Sequence, residues 1–161
     1  MTGQDTTNPL RVVTIELQGT HFALETQYVR EILDLGPMTE VPNASPFVNR
    51  LINVRGKVVP LADLRLRLGL EQGPPTIDSR IIVMDIELDG TSSIVGILAD
   101  KVHEVTELAA TALTQTPKLG LRCRPEHVRC IGKRADDFII VLDPPRIFAS
   151  ALSEPPPSPA H

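Results

Sequence analysis

The sequence predicts a mainly β protein made of two similar lobes, each a hairpin-rich sheet of about five strands that curls into a barrel, with a groove between them. Three observations lead there. Apolar and polar residues alternate with period two over short runs, two-residue turn signals separate those runs, and four blocks recur in one order along the 161-residue chain.

Val13, Ile15 and Leu17 alternate with Thr14, Glu16 and Gln18, as a half-buried strand requires, and Gln18-Gly19 then marks a turn. Pro46–Asn53 and Ala62–Leu68 are read as short helices, and Arg55-Gly56 as a turn. Pro60 interrupts the run Val58–Leu61 and confines that strand to an edge or a bulge. Met84, Ile86 and Leu88 alternate with Asp85, Glu87 and Asp89 ahead of a turn at Asp89-Gly90. Ile94–Leu98 and Phe138–Leu142 are short, apolar and largely β-branched, which suits strands inside a closed sheet. Asp136-Asp137 marks a turn before the second of them, and Pro145–Leu152 suits a terminal helix. Residues 1–9 and the Pro-rich 151–161 are expected to be tails.

The repeat is the most informative feature. Ile15-Glu16-Leu17-Gln18-Gly19-Thr20 returns as Ile86-Glu87-Leu88-Asp89-Gly90-Thr91, and Val29-Arg30-Glu31-Ile32 as Val102-His103-Glu104-Val105. Gly56-Lys57 with its strand and Asp63 matches Gly132-Lys133 with Phe138–Leu142 and Asp143. Two lobes follow, roughly residues 10–75 and 80–150, with exchange of strands between them left open. On this alignment Gly56 and Gly132 both sit in turns of positive φ, while Asn53 and Arg55 give way to Arg129 and Ile131. Arg55 is then either a solvated turn residue or an anchor for a partner, a role in which Arg is enriched. The repeated Glu31 and Glu104 are expected to satisfy the backbone of their own lobes, while Val29 and Val102 face either the core or the groove.

Charge points to protein partners. The net charge is −4 and the chain has no Trp, one Tyr and four Phe, which disfavours nucleic acid. Yet eleven of the sixteen basic residues fall within 50–67 and 118–134, forming patches suited to steering acidic proteins. Cys123 and Cys130 are read as reduced thiols, a disulfide being the less expected alternative. A start without a basic-then-apolar leader, and the lack of a run of membrane-spanning length, predict a cytoplasmic chain with no direct membrane insertion. No G-x-S-x-G elbow, P-loop or G-x-G-x-x-G occurs, and His21, His103, His127 and His161 show no ligand spacing. The expectation is no enzyme, no cofactor and no metal.

Gly19-Thr20-His21-Phe22-Ala23-Leu24 and Val29-Arg30-Glu31-Ile32 open a pattern that continues through Ile52-Asn53-Val54-Arg55-Gly56 and Val59-Pro60-Leu61-Ala62-Asp63-Leu64-Arg65. Val95-Gly96-Ile97-Leu98-Ala99-Asp100 and Ile131-Gly132 through Leu142-Asp143 complete it. The pattern resembles the CheW-like chemotaxis adaptor family over about residues 10–150. The resemblance implies two five-stranded SH3-like barrels and a scaffold linking the cytoplasmic tips of chemoreceptors to a histidine autokinase, whose regulatory domain has the same fold. It implies that the kinase docks on barrel ends and the receptor in the groove, with Val29, Glu31, Asn53, Arg55, Val95, Gly96 and Val102 as groove residues, in membrane-associated arrays. Arg50, Lys57, Lys101, Arg129 and Lys133 are candidates for partner electrostatics; at Arg50 and Lys101 the family commonly has glycine. The alternatives are an adaptor or inhibitor in a chemotaxis-like pathway controlling surface motility or a second messenger, and, more remotely, a cleft-binding enzyme or ligand carrier.

Overall fold

The computed structural model describes residues 9–42, 47–71, 73–111, 127–134 and 137–153. The strands are β1 (Pro9–Leu17), β2 (Thr20–Glu25), β3 (Val29–Asp34), β4 (Thr39–Glu40), β5 (Val48–Val54), β6 (Lys57–Ala62), β7 (Arg80–Leu88), β8 (Thr91–Ala99), β9 (Lys101–Thr111), β10 (Val128–Arg134) and β11 (Asp137–Leu142). Two helices join them, α1 (Leu64–Arg67) and α2 (Pro144–Ser153). No helix among the described residues is long and apolar enough to cross a membrane.

Local chemistry explains the hairpins. Gln18-Gly19, Arg55-Gly56 and Asp89-Gly90 all have positive φ at both residues, so each closes a two-residue turn whose twist matches its strands. The expected helix at Pro46–Asn53 is instead β5, because the Arg55-Gly56 turn folds Val48–Val54 back on β6. Pro60 lies in a strand with neighbours on both sides, not at an edge. It is tolerated because parallel pairing of β6 with β8 covers only Leu61 and Ala62, leaving Pro60 without a ladder partner on that side. Residue 136 lies outside the described residues, and Asp137 already belongs to β11. Helix α2 runs to Ser153, past the start of the tail expected from 151, and residues 154–161 lie outside the described residues.

The lobes are not consecutive in sequence. β1, β2, β11, β10 and β9 form a closed barrel, and the other six strands form a sheet in the order β3-β7-β8-β6-β5-β4. The repeats at about 10–75 and 80–150 thus exchange strands between the lobes, the possibility that the sequence leaves open. Each repeat contributes a first hairpin (β1–β2 or β7–β8) to one lobe, and a single strand plus second hairpin to the other.

This exchange follows from burial on two sides. Val12 packs inside the barrel with Ala23, Leu108, Cys130, Ile139 and Val141, whereas Val13, Ile15 and Leu17 face a larger cluster. In β7, Ile81 and Val83 pack in the six-stranded sheet's own cluster, while Ile82, Met84 and Ile86 join that same larger one. Three cores result, and the largest is shared between the lobes. Period-two alternation thus sorts residues between two cores in the middle of these strands, and between core and solvent toward the turns.

The second hairpins superpose in register at an offset of 80. Ile52 pairs Val59 and Gly132 pairs Ile139; each hairpin also carries a register shift at the same place, between Val48 and Arg50 or Val128 and Cys130. Asp63 and Asp143 then each cap a helix, accepting from the amides of Arg65 and Arg146. By this register the counterpart of Gly132 is Ile52, so Gly132 is a mid-strand residue and not a turn glycine. The residues matching Asn53 and Arg55 are Lys133 and Ala135, not Arg129 and Ile131. The repeated glutamates are not equivalent either. Glu31 pairs with Val83, whose counterpart Val12 pairs with Thr106.

Burial sets the sign of one pH effect. Cys130 is a buried free thiol whose pKa is raised, chiefly by desolvation, with Arg129 lowering it less. Burial, followed by Glu25, also raises the Tyr28 hydroxyl. Unfolding frees both to ionise at their ordinary values, so the unfolded chain holds fewer protons above about pH 8.5. Their contribution is full below that pH and is lost as pH climbs through the raised folded values. In a Cys123→Ser background, the urea midpoint should fall between about pH 8 and pH 10, and fall less steeply in Cys130→Ala. A flat midpoint over that range would refute this. Cys123 itself lies outside the described residues.

Candidate functional site

The most exposed functional feature is the β5–β6 turn. Asn53 Oδ1 accepts from the Gly56 amide at 2.8 Å, which holds Arg55 at φ 52° at the tip. The Arg55 side chain is 83% exposed, yet its guanidinium is 3.1 Å from Glu31 on β3. At that exposure the pair stabilises the fold by at most about 1 kcal/mol, so its effect is to orient the arginine. Beneath it lies a shallow cavity lined by Val54, Val59, Val83 and Ile94, with Arg30, Glu31 and Lys57 at its rim. Arg30 is held by Asp85 at 3.3 Å, and Asp85 also accepts from Ser92. The result is an apolar floor under a cationic edge, a surface suited to an amphipathic helix with acidic residues.

The predicted groove residues separate into three groups. Glu31, Asn53 and Arg55 converge at the turn. Val95 is buried in the shared core, and Gly96 lies on β8 against Ile81, Leu61 and Ile52. Neither presents open surface, because Val95 packs into the shared core and Gly96 faces the six-stranded sheet's own cluster. Val29 and Val102 pack against that core and are partly exposed.

The cationic windows separate in a similar way. Arg65 is buried, bound to Asp63, the Gly73 carbonyl and Asp100, so it is not part of a surface patch. Arg67 stacks over Phe47, 5.0 Å from the ring centre. Arg129 donates to the buried Glu25 at 2.8 Å, and Glu25 also accepts from Gln27. That hydrogen bond raises the Arg129 pKa against the opposing effect of desolvation. Lys101 reaches Asp78 at 4.0 Å, and Arg50 sits mid-strand opposite Leu61. Lys57 and Lys133 are exposed, beside the second-hairpin residues Val58 and Phe138. Lys118, Arg122 and Arg124 lie outside the described residues.

Sequence reasoning missed two features. Val58 and Phe138, 68% and 64% exposed, hold equivalent positions on the two second hairpins. Only the offset of 80 reveals them as a matched apolar pair. The histidines show no ligand spacing in sequence, but the fold brings His21 and His103 together around Glu16. Their sequence separation hid this.

The family model for the CheW-like domain matches residues 11–152. Among curated proteins, the chain is 30% identical to a "Chemotaxis protein CheW" of Rhizobium meliloti over 143 residues, covering 89% of this chain and 90% of that protein. It is 29% identical to the Bacillus subtilis protein of the same name over 136 residues, 83% of each. Among solved structures it resembles scaffolding protein TtCheW from Thermoanaerobacter tengcongensis, with a TM-score of 0.71 at 28% identity, covering 84% of this chain and 90% of that one.

Proposed function

Because the chain belongs to the CheW-like domain family, we propose that it is a non-catalytic cytoplasmic adaptor coupling the cytoplasmic tips of chemoreceptors to a histidine autokinase in membrane-associated arrays. The observation that carries this reading is Arg55, displayed on a left-handed turn, steadied by Glu31 and set above an apolar floor. Arg55, Glu31 and Asn53 meet the receptor's acidic helix face, with Val29 and Val102 contributing from the partly buried edge. Val95 and Gly96 act by packing the strands beneath. The kinase's regulatory domain docks on the barrel ends, where Val58 and Phe138 supply apolar contact and Lys57 and Lys133 the charge. Each contact is weak alone and becomes effective through multivalency.

Arg55→Glu is the test, against a receptor cytoplasmic fragment and the kinase regulatory domain of the same host. Arg11→Glu, an equal charge change on β1, is the control. Binding to at least one partner should weaken by about tenfold or more, with the control unaffected. Unchanged affinity for both partners in Arg55→Glu would overturn the assignment.

A second reading, an adaptor or inhibitor for surface motility or second-messenger control, draws on the cations at Arg50 and Lys101. Identifying which of the host's histidine kinases the chain retains in a pull-down separates the two.

A further inference from the structure

The geometry points to a divalent-cation site of the zinc class beside the β1–β2 turn, on the barrel face shared with Val12 and Ala23, formed by Glu16, His21 and His103. Glu16 on β1 lies directly opposite His21 on β2 and opposite Lys101 on β9. Two residues along β9 from Lys101, His103 returns to the same face. It stands at a register shift, where Thr14 opposes both His103 and Glu104. Three neighbouring strands therefore present carboxylate and imidazole groups in one row.

The distances suit a metal. Glu16 Oε1 is 3.2 Å from His21 Nε2 and 3.5 Å from His103 Nε2, and the three ligand atoms lie within 4.8 Å of one another. Bonds of about 2.0–2.1 Å to a tetrahedral zinc place ligand atoms about 3.3–3.4 Å apart. The two imidazoles, with ring centres 5.3 Å apart, need only a small closing movement. His103 Nε2 is secluded and makes no hydrogen bond. Lys101 does not occupy the site, since it is drawn toward Asp78. The adjoining cavity is lined by Thr14, His21, His103, Glu104 and Thr106, so water can complete the coordination. Nitrogen and oxygen donors in this ratio suit zinc, and also nickel and cupric ions, better than magnesium or calcium. A bound ion clamps the β1–β2 hairpin, which comes from the first repeat, to β9 of the second.

The test uses the full chain stripped by a chelator, with cobalt as an optical probe and zinc by calorimetry. One equivalent should bind with a dissociation constant on the order of micromolar. At a hundredfold excess over that constant, zinc should raise the unfolding midpoint by about 5–10 °C. His21→Gln and His103→Gln should each weaken binding by more than about tenfold, since altering outer-shell groups alone has that effect. Their unfolding without metal should match the parent; if either fails to fold, Glu16→Gln carries the same expectation. Absence of stoichiometric binding would overturn the site. So would binding retained by the double His→Gln variant, which would place the ion on Cys123, Cys130 or His161.

Discussion

Replacing Arg65 with methionine is expected to destabilise the fold by about 3–5 kcal/mol, because it strips the partner from charges held at the junction of the two lobes. Arg65 is 4% exposed. Its guanidinium grips Asp63 with two parallel bonds, Nε to Oδ1 at 2.9 Å and a terminal nitrogen to Oδ2 at 2.8 Å. The other terminal nitrogen reaches the Gly73 carbonyl at 3.0 Å and Asp100 at 3.4 Å. Asp100 in turn accepts from the Gln18 amide at 2.6 Å. One side chain thus ties the end of the six-stranded sheet, the β6–β7 connection and the first turn of the barrel. The hydrogen bond to Asp63 raises the arginine's pKa despite desolvation, so the charge persists across the accessible pH range. Methionine keeps most of the volume and removes every donor. A drop in midpoint of about 6–20 °C should follow, read by thermal or urea unfolding. Lysine should recover only part of it, since a point charge cannot reproduce the fork. A loss under about 1 kcal/mol in the methionine variant would show that the network does not hold the lobes together.

Gly132→Ala should destabilise by about 1–3 kcal/mol, whereas Gly96→Ala should cost under about 1 kcal/mol. A Cβ at Gly132 would lie 2.7 Å from Leu108 Cδ1 and 2.9 Å from Leu108 Cβ. Leu108 is fully buried, and its Cβ moves only with the β9 backbone. At Gly96 the same addition meets side-chain tips at 3.4–3.5 Å, an ordinary contact. Chemical denaturation of the two variants side by side checks the contrast. Equal losses would mean that close strand approach is not what Gly132 provides.

Those two residues also show where sequence reading stops. Gly132 had been aligned with Gly56 because each precedes a lysine and a strand. The strand registers instead set it opposite Ile139, where lack of a side chain lets β10 lie against Leu108. The clustering of cations over residues 50–67 places Arg65 in a surface patch by sequence alone. Its burial depends on Gly73 and Asp100, and the latter lies 35 positions away. Within the candidate site, Asn53 and Arg55 were legible because a two-residue turn is a local event. Val95 and Gly96, implied by the family resemblance alone, are buried in strand β8, and strand alternation cannot reveal which of two cores a face enters.

By itself, the amino-acid order determined the mainly β class, three of the hairpin turns, the two-fold duplication and the membership in an adaptor family. These depend on period-two alternation, on the tolerance of glycine and its neighbour for positive φ, and on recurrence along one chain. Only the tertiary structure decided that the first hairpins trade lobes, that Arg65 lies inside, and that Glu16, His21 and His103 share a face. The physical reason is that β1 and β7 bury both faces at once. Which lobe each hairpin completes is then settled by packing between residues far apart in sequence, and no local pattern encodes that choice.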